Sequence, residues 1–374
     1  MKGTQRWMQL IAVAWLLWIV QGECVAQSVR VATAPGAGDY GTIVAESRGL
    51  IDSIMRARNI PGLSIAVSVD GEFVWSEGFG YANLEGRTPV RTTTKFRIGS
   101  ISKPVTAAAL GLLYEQGSVD LDAHVQQYVP SFPAKDKGVI TTRLLAGHLA
   151  GVRHYNGLEF LSSRRYASVT EGLAIFQDDT LLTPPGERYS YSSYGWNLIS
   201  AVIEAASGEE FLTYVREKVF RPIGMTHTVA DYTDSIILGR TGFYERTGDG
   251  ALINAPYVDN SYKWAGGGFL STPEDLLRFA NAHLREHFLK PETLDVWWTS
   301  QRNTAGEEVG YGIGWSVEDI SGNRVISHGG GSVGGSCWLG IVPDAGVVIA
   351  ITTNVSDGGF QPVLGPILLK FVGS

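Results

Sequence analysis

The sequence predicts an α+β fold: an antiparallel sheet flanked by helices and carrying an inserted, mostly helical lobe. Three observations point to it. Apolar runs at 63–69 and 72–80 flank Asp70-Gly71, a pair suited to the left-handed turn of a two-residue hairpin. Strand-like runs return near the C-terminus at 312–317, 324–327, 336–342 and 347–353, parted by turns at Ser321-Gly322-Asn323 and Pro343-Asp344-Ala345-Gly346. The stretch between the two groups, about 117–290, reads as helices and loops. Hairpin-linked strands at both ends of a chain close into one sheet, here from about 62–80 and 312–353.

At the N-terminus, Lys2 and Arg6 precede an apolar run at 8–20, and Cys24 and Ala26 flank Val25. This pattern predicts a secretory signal over 1–26, cut after Ala26, and so an exported protein. The apolar run is short for a membrane span, an uncleaved anchor being the alternative. Residues 27–41, rich in Ala, Gly and Pro, read as a flexible lead-in to a single domain over 42–374. A helix follows at 43–58, ending before Asn59 and Pro61. A second opens at Ser100 and runs to about 116, with Pro104 tolerated in its first turn and Gly117 as its stop. Residues 107–113 are almost all apolar, so this helix is buried on every side. Further helices are predicted at 171–176, 197–206, 210–219, 273–284 and 360–372. There is no internal repeat, coiled coil or low-complexity tract.

The 374 residues are 44% hydrophobic and 18% charged, which describes a globular chain and excludes a disordered one. The formal net charge is −7, and signal removal makes it one unit more negative. An acidic surface argues against a nucleic-acid partner. Once Cys24 is cut away, Cys337 stands alone, so no intramolecular disulfide is expected. The histidines lack H-E-x-x-H or any compact ligand spacing, so neither a metal site nor a cofactor is expected.

Three short patterns carry chemistry. Ser100 and Lys103 form S-x-x-K at a helix start, and residues three apart share a helix face. Serine needs a partner to take its proton, and a lysine made less basic by burial serves. The Ser100 N–H, at a helix N-terminus, is one half of an oxyanion hole. Taken alone, the pair also reads as an N-cap serine before a buried helix. Tyr191 and Ser193 form Y-x-S in a tyrosine-rich loop. Beside a Lys103 ammonium the Tyr191 phenolate is favoured, making it a general base. Finally, His328-Gly329-Gly330-Gly331 lies at a strand end, where glycines let a substrate approach the backbone. The Gly331 N–H is expected to be the second oxyanion donor, and Ser193, His328, Gly329 and Gly330 are expected to bind substrate.

In this order the three patterns resemble the serine β-lactamase and penicillin-binding-protein superfamily, over almost all of 43–372. They are most similar to the class C branch, where the second motif is Y-x-N and the third is often H-x-G. Arg97-Ile98-Gly99-Ser100-Ile101-Ser102-Lys103, Thr142-Arg143-Leu144-Leu145, Arg153-His154-Tyr155 and the run VDNSYKWAGGGFLST from Val258 to Thr272 resemble the mitochondrial serine β-lactamase-like branch. The resemblance implies a β-lactamase/transpeptidase-like fold and a serine hydrolase that forms an acyl-enzyme on Ser100. Peptide or amide bonds are the expected substrates, D-amino-acid peptides and small esters follow, and β-lactams come third. A non-catalytic peptidoglycan- or β-lactam-binding protein is the alternative of another class. Two departures matter. Ser193 stands where the branch has the Asn of Y-x-N, and His328 stands where β-lactamases have the carboxylate-holding Lys of K-T-G.

Other residues read as bland. Gly330-Gly331-Ser332-Val333-Gly334 matches G-x-S-x-G, but that elbow needs a following helix and a strand pattern follows instead. Cys337 reads as a buried small residue, His148 as structural and His154 as a pocket-rim residue.

Overall fold

The computed structural model describes residues 30–32, 40–285 and 287–373. The expected signal at 1–26 lies outside the described residues. Thirteen strands are present among them: β1 (Arg30–Ala32), β2 (Gly62–Val69), β3 (Glu72–Asn83), β4 (Thr88–Pro89), β5 (Phe96–Arg97), β6 (Val229–Ala230), β7 (Tyr244–Arg246), β8 (Leu252–Asn254), β9 (Phe269–Ser271), β10 (Ser316–Ile320), β11 (Asn323–Ser332), β12 (Gly335–Val342) and β13 (Val347–Thr353). The helices are α1 (Gly41–Ala57), α2 (Ser102–Glu115), α3 (Thr142–Ala146), α4 (Val169–Leu173), α5 (Ser193–Ser207), α6 (Phe211–Val215), α7 (Arg221–Ile223), α8 (Trp264–Gly267), α9 (Pro273–Leu284), α10 (Pro291–Trp297) and α11 (Gln361–Val372).

The main sheet has the order β1-β3-β2-β13-β12-β11-β10, antiparallel throughout. The last strand of the chain thus lies between the first hairpin and the C-terminal strands, which joins both ends in one sheet. The β2–β3 turn is the one Asp70-Gly71 calls for, with φ of 54° and 87°. Every residue of β13 is buried because both faces of the sheet are covered. The period of two sorts its side chains. Ile349 and Ile351 pack with Ile65 and Val67 against α1 and α11, through Ile51 and Phe371. Val348 and Ala350 pack with Ala66 on the opposite face, against α9 and the helical lobe. Burying one such isoleucine side chain is worth about 1.5–3 kcal/mol. Helix α2 runs through this second core with Val105, Ala107, Ala108, Leu110 and Leu113 all buried.

The structure differs from the sequence reading in several places. Arg30–Ala32, inside the expected flexible lead-in, forms an edge strand on β3 in the register Arg30↔Phe79. The expected strand at 312–317 begins only at Ser316. Ahead of it Gly312 lies so close to the Trp297 carbonyl that a Cβ would sit 2.1 Å from the oxygen, and Gly314 has φ of +79° against Ala107 and Trp196. Those glycines mark close approach rather than a strand. Within 210–219 the helix loosens into a π turn at Arg216–Phe220. There are also two small sheets, β5-β9-β6 and β7-β8, whose strands of two or three residues leave no readable period.

Candidate active site

The nucleophile candidate is set by glycine chemistry. Strand β5 leads into a 3-10 turn, Gly99–Ile101, that runs straight on into α2. Gly99 has φ of +47°, and a Cβ on it would lie 2.5 Å from the Gly331 carbonyl oxygen and 2.9 Å from its nitrogen. Glycine is required there twice over, by backbone conformation and by contact with β11. The contact brings the backbones of Ser100 and Gly331 to the same wall of one cavity. Beneath the turn, Arg97 Nε donates to Asp231 at 2.7 Å and Arg97 Nη1 to the Val333 carbonyl at 2.7 Å, anchoring β5 from below.

Lys103, one turn along α2, is fully buried. Its Nζ lies 2.9 Å from Ser100 Oγ, 3.0 Å from Ser193 Oγ and 2.8 Å from the Gly266 carbonyl. Burial, aided by the charge of Lys263, holds its pKa well below the usual lysine range. Of its three partners only the Gly266 carbonyl is an obligatory acceptor. Both hydroxyls also donate, so a neutral amine fits here with its lone pair toward the Ser100 hydroxyl.

Tyr191 hydrogen-bonds the Ser100 side chain, and its ring centroid lies 4.8 Å from Lys103 Nζ. Its ionisation runs against the sequence reading. Burial raises the Tyr191 pKa far above that of a free tyrosine, despite the bond to Ser100. The expected pair, a Lys103 ammonium beside a Tyr191 phenolate, is disfavoured, both groups being pushed toward their uncharged forms. The reason is desolvation, which disfavours the charged form of both groups. The His148 ring lies 4.2 Å from that of Tyr191, and His148 Nδ1 accepts the Ser192 N–H at 3.0 Å.

Ser193 opens α5, after Ser192 has capped the helix by accepting the Gly195 N–H. It lines the cavity, but its hydroxyl is held between Lys103 and the Tyr155 hydroxyl. His154 also lines the cavity and accepts the Ser193 N–H at 3.1 Å. Burial, with the charges of Lys103 and Lys263, pulls its pKa down to about 4, so it is neutral.

Strand β11 continues through the glycines to Ser332 instead of ending before them, pairing Gly330 with Cys337 and Gly331 with Ser336. Gly329 and Gly331 are exposed and line the cavity, and a Cβ on either would meet nothing. Gly330 presses on the Ile98 carbonyl, where a Cβ would lie 2.1 Å away. His328 does not take the substrate-binding place expected of it. It is 4% exposed and absent from the cavity wall. Its Nδ1 meets the Gly329 carbonyl at 2.6 Å, so Nδ1 carries the hydrogen and Nε2, 2.8 Å from the Tyr311 hydroxyl, accepts. Burial and Lys103 press its pKa to about 3. Strand alternation turns it away from the face of Gly329 and Gly331.

The cavity measures about 760 Å³, room for a peptide segment. Its wall includes two residues to which the sequence reading gave no role, Tyr155 and Lys263. Ser332 closes the β11–β12 hairpin, with no helix after it. Cys337 is buried, its Sγ 2.9 Å from the Ile98 carbonyl, and burial raises its pKa, so it stays a thiol. Among the described residues no group of three His, Cys, Asp or Glu side chains is placed to hold a metal.

The family model described as Beta-lactamase matches residues 48–370. The mitochondrial serine β-lactamase-like protein LACTB of Homo sapiens is 32% identical, over 92% of this chain and 82% of its own. Penicillin-binding protein 4* of Bacillus subtilis is 27% identical, over 74% of this chain and 64% of its own. The octameric penicillin-binding protein homologue from Pyrococcus abyssi superposes with a TM-score of 0.74 at 27% identity, covering 84% of this chain and 74% of that one. The D-amino acid amidase of Ochrobactrum anthropi superposes with a TM-score of 0.78 at 21% identity, covering 89% and 99%, and shares the fold. The chain belongs to the β-lactamase family.

Proposed function

We propose that this member of the β-lactamase family is an exported serine hydrolase that forms an acyl-enzyme on Ser100 and cleaves amide or peptide bonds. The observation that carries the reading is the 2.9 Å approach of Ser100 Oγ to a fully buried lysine whose pKa is held low. The neutral Lys103 amine takes the Ser100 proton as Oγ attacks the carbonyl carbon. The carbonyl electron pair moves to oxygen, which the N–H groups of Ser100 and Gly331 receive. When the tetrahedral species collapses, the leaving nitrogen takes a proton through the Tyr191 phenol, which Lys103 reprotonates. Water then attacks the ester and returns the enzyme to its starting form.

The substrate order follows from the walls. A cavity of this size takes a peptide segment, and a D-aminopeptidase of Gluconobacter oxydans is among the relatives, at 28% identity. A carboxylesterase uses the same machinery. β-Lactams come after these, because His328 presents no charge to the cavity. Export rests on the N-terminal pattern, and the first residue of the mature protein, expected to be Gln27, tests it.

Labelling with a fluorophosphonate, followed by mass mapping of the adduct, tests the centre. The label is expected on Ser100, with turnover of a chromogenic ester or a peptide library. A label on Ser332, or one that survives Ser100→Ala, refutes the assignment. Stoichiometric acylation without turnover marks a binding protein instead.

A further inference from the structure

Lys263 is a basic side chain without a hydrogen-bond partner in the wall of the reaction cavity. It closes the 3-10 turn Ser261–Lys263, is 1% exposed, and its Nζ makes no hydrogen bond. The rings of Phe160, Tyr262 and Tyr155 stand around the amine, their centroids 4.2, 5.2 and 5.4 Å from Nζ. Its stem runs beside the nucleophile turn. A Cβ on Gly267 would lie 3.8 Å from Lys263 Cδ and 3.7 Å from the Gly99 carbonyl carbon.

The fold supplies no carboxylate to this amine. Asp231, the acid whose field reaches it, accepts from Arg97 at 2.7 Å and from Asn260 Nδ2 at 2.9 Å, and pairs with Arg240 at 3.5 Å. The other groups whose charge or ring bears on Lys263 are Arg97, Lys103, His154, Tyr155 and Tyr262, none of them an anion; the acids elsewhere on the cavity wall are Glu245, which accepts from Ser356, and Asp357. Among the described cavity-lining residues only His154 has another basic side chain, and it is neutral.

We infer that Lys263 is a specificity-determining residue that receives an anionic substituent of the substrate, a carboxylate, inside the cavity. The inference rests on the hydrolase reading above and deepens it. Aromatic faces offset part of the cost of burying an ammonium and keep competing water away. An entering carboxylate supplies the missing acceptor and makes a charge-assisted hydrogen bond. The free amine, pulled down to about 7 by burial and by Arg97, is largely neutral at pH 8 and takes up a proton as the anion arrives.

Two measurements test this. The first compares 4-nitrophenyl hydrogen adipate with 4-nitrophenyl hexanoate as substrates. The wild type is expected to prefer the adipate. In Lys263→Met the kcat/KM ratio of adipate to hexanoate is expected to fall by roughly 30-fold or more, chiefly through KM, with partial recovery in Lys263→Arg. An unchanged ratio, or a wild type that prefers hexanoate, overturns the inference. The second titrates glutarate into Ser100→Ala protein by calorimetry at pH 8, in phosphate and in Tris. Binding with uptake approaching one proton supports the inference; no binding, or binding without uptake, overturns it. This titration needs neither turnover nor a Lys263 variant. If Ser100 takes no fluorophosphonate and neither ester is cleaved, the hydrolase reading fails and the glutarate result still judges Lys263.

Discussion

Replacing Lys263 by methionine should stabilise the protein, and the size of the gain should depend on pH in a calculable way. Unfolded, the lysine titrates near 10.5; folded, burial holds it to about 7. Between those values the unfolded chain binds more protons than the folded one, so stability rises with pH across that window. Below about pH 7 both states are protonated and the penalty is at its full, constant size. Linkage puts the cost of burying Lys263 at about 4 kcal/mol at pH 7 and about 2 kcal/mol at pH 9. Methionine has a similar length, fills the same aromatic cage and carries no proton. Its packing contribution adds the same offset at every pH, so the change with pH isolates the ionisation. Urea unfolding of wild type and Lys263→Met at pH 7, 8 and 9 reads it directly. The advantage of the variant should shrink by about 2 kcal/mol between pH 7 and 9. A difference flat across that range means the amine is not depressed in the folded state, and the description of an unpartnered buried lysine fails with it.

Lys103→Met should lower kcat/KM by roughly 10²- to 10⁴-fold, the usual worth of a general base, while leaving the fold intact by circular dichroism. In the wild type, activity should fall on the acid side as Lys103 gains its proton. Because its pKa is held down by burial, the acid limb of the pH–rate profile should lie well below the usual lysine range; a limb near that range would contradict the placement of Lys103. Asp231→Ala should cost about 3–5 kcal/mol in urea unfolding, since Arg97 would be left buried without its carboxylate. Gly99→Ala should lose fluorophosphonate labelling at Ser100, because the new Cβ meets the Gly331 backbone at 2.5 Å; full labelling would contradict the placement of those two segments.

The parts of this molecule that were legible in its sequence are the local ones. Ser100 and Lys103 are one helical turn apart, so spacing alone puts them on one face. The Asp70-Gly71 hairpin and the limits of β13 and α9 follow from turn chemistry and period. Tyr191 and Gly331 came from motif order, which carries what spacing alone does not. Lys263 and Tyr155 were invisible as site residues, because only the fold brings segments far along the chain from Ser100 into one cavity with it. The strand limit near Gly312 was misplaced because alternation in sequence does not reveal that Gly312 and Gly314 are pressed against Trp297 and Ala107. The charge states were misjudged for a related reason. Sequence suggests which groups are neighbours, but burial, a property of the fold, decides whether either is charged.

That last point bears on how the site works with an anionic substrate. Two buried lysines lie at this site, Lys263 in the cavity wall and Lys103 behind Ser100, and the charge of Lys263 bears on proton binding at Lys103. If the base at Lys103 depended on Lys263 being charged, a bound carboxylate would cancel that field and return Lys103 toward an ammonium, stalling the reaction just when substrate is present. The order of causes at Lys103 argues against this. Burial is the larger, Lys263 the smaller, so burial still holds the Lys103 pKa down when Lys263 is neutral or paired. Substrate entry, by displacing water from the cavity, deepens the larger cause. On the reading proposed above, recognition at Lys263 and proton transfer at Lys103 are separable functions of two residues with the same chemistry. The contacts make the difference: Lys103 has Ser100, Ser193 and the Gly266 carbonyl, whereas Lys263 has three aromatic rings and an open acceptor position.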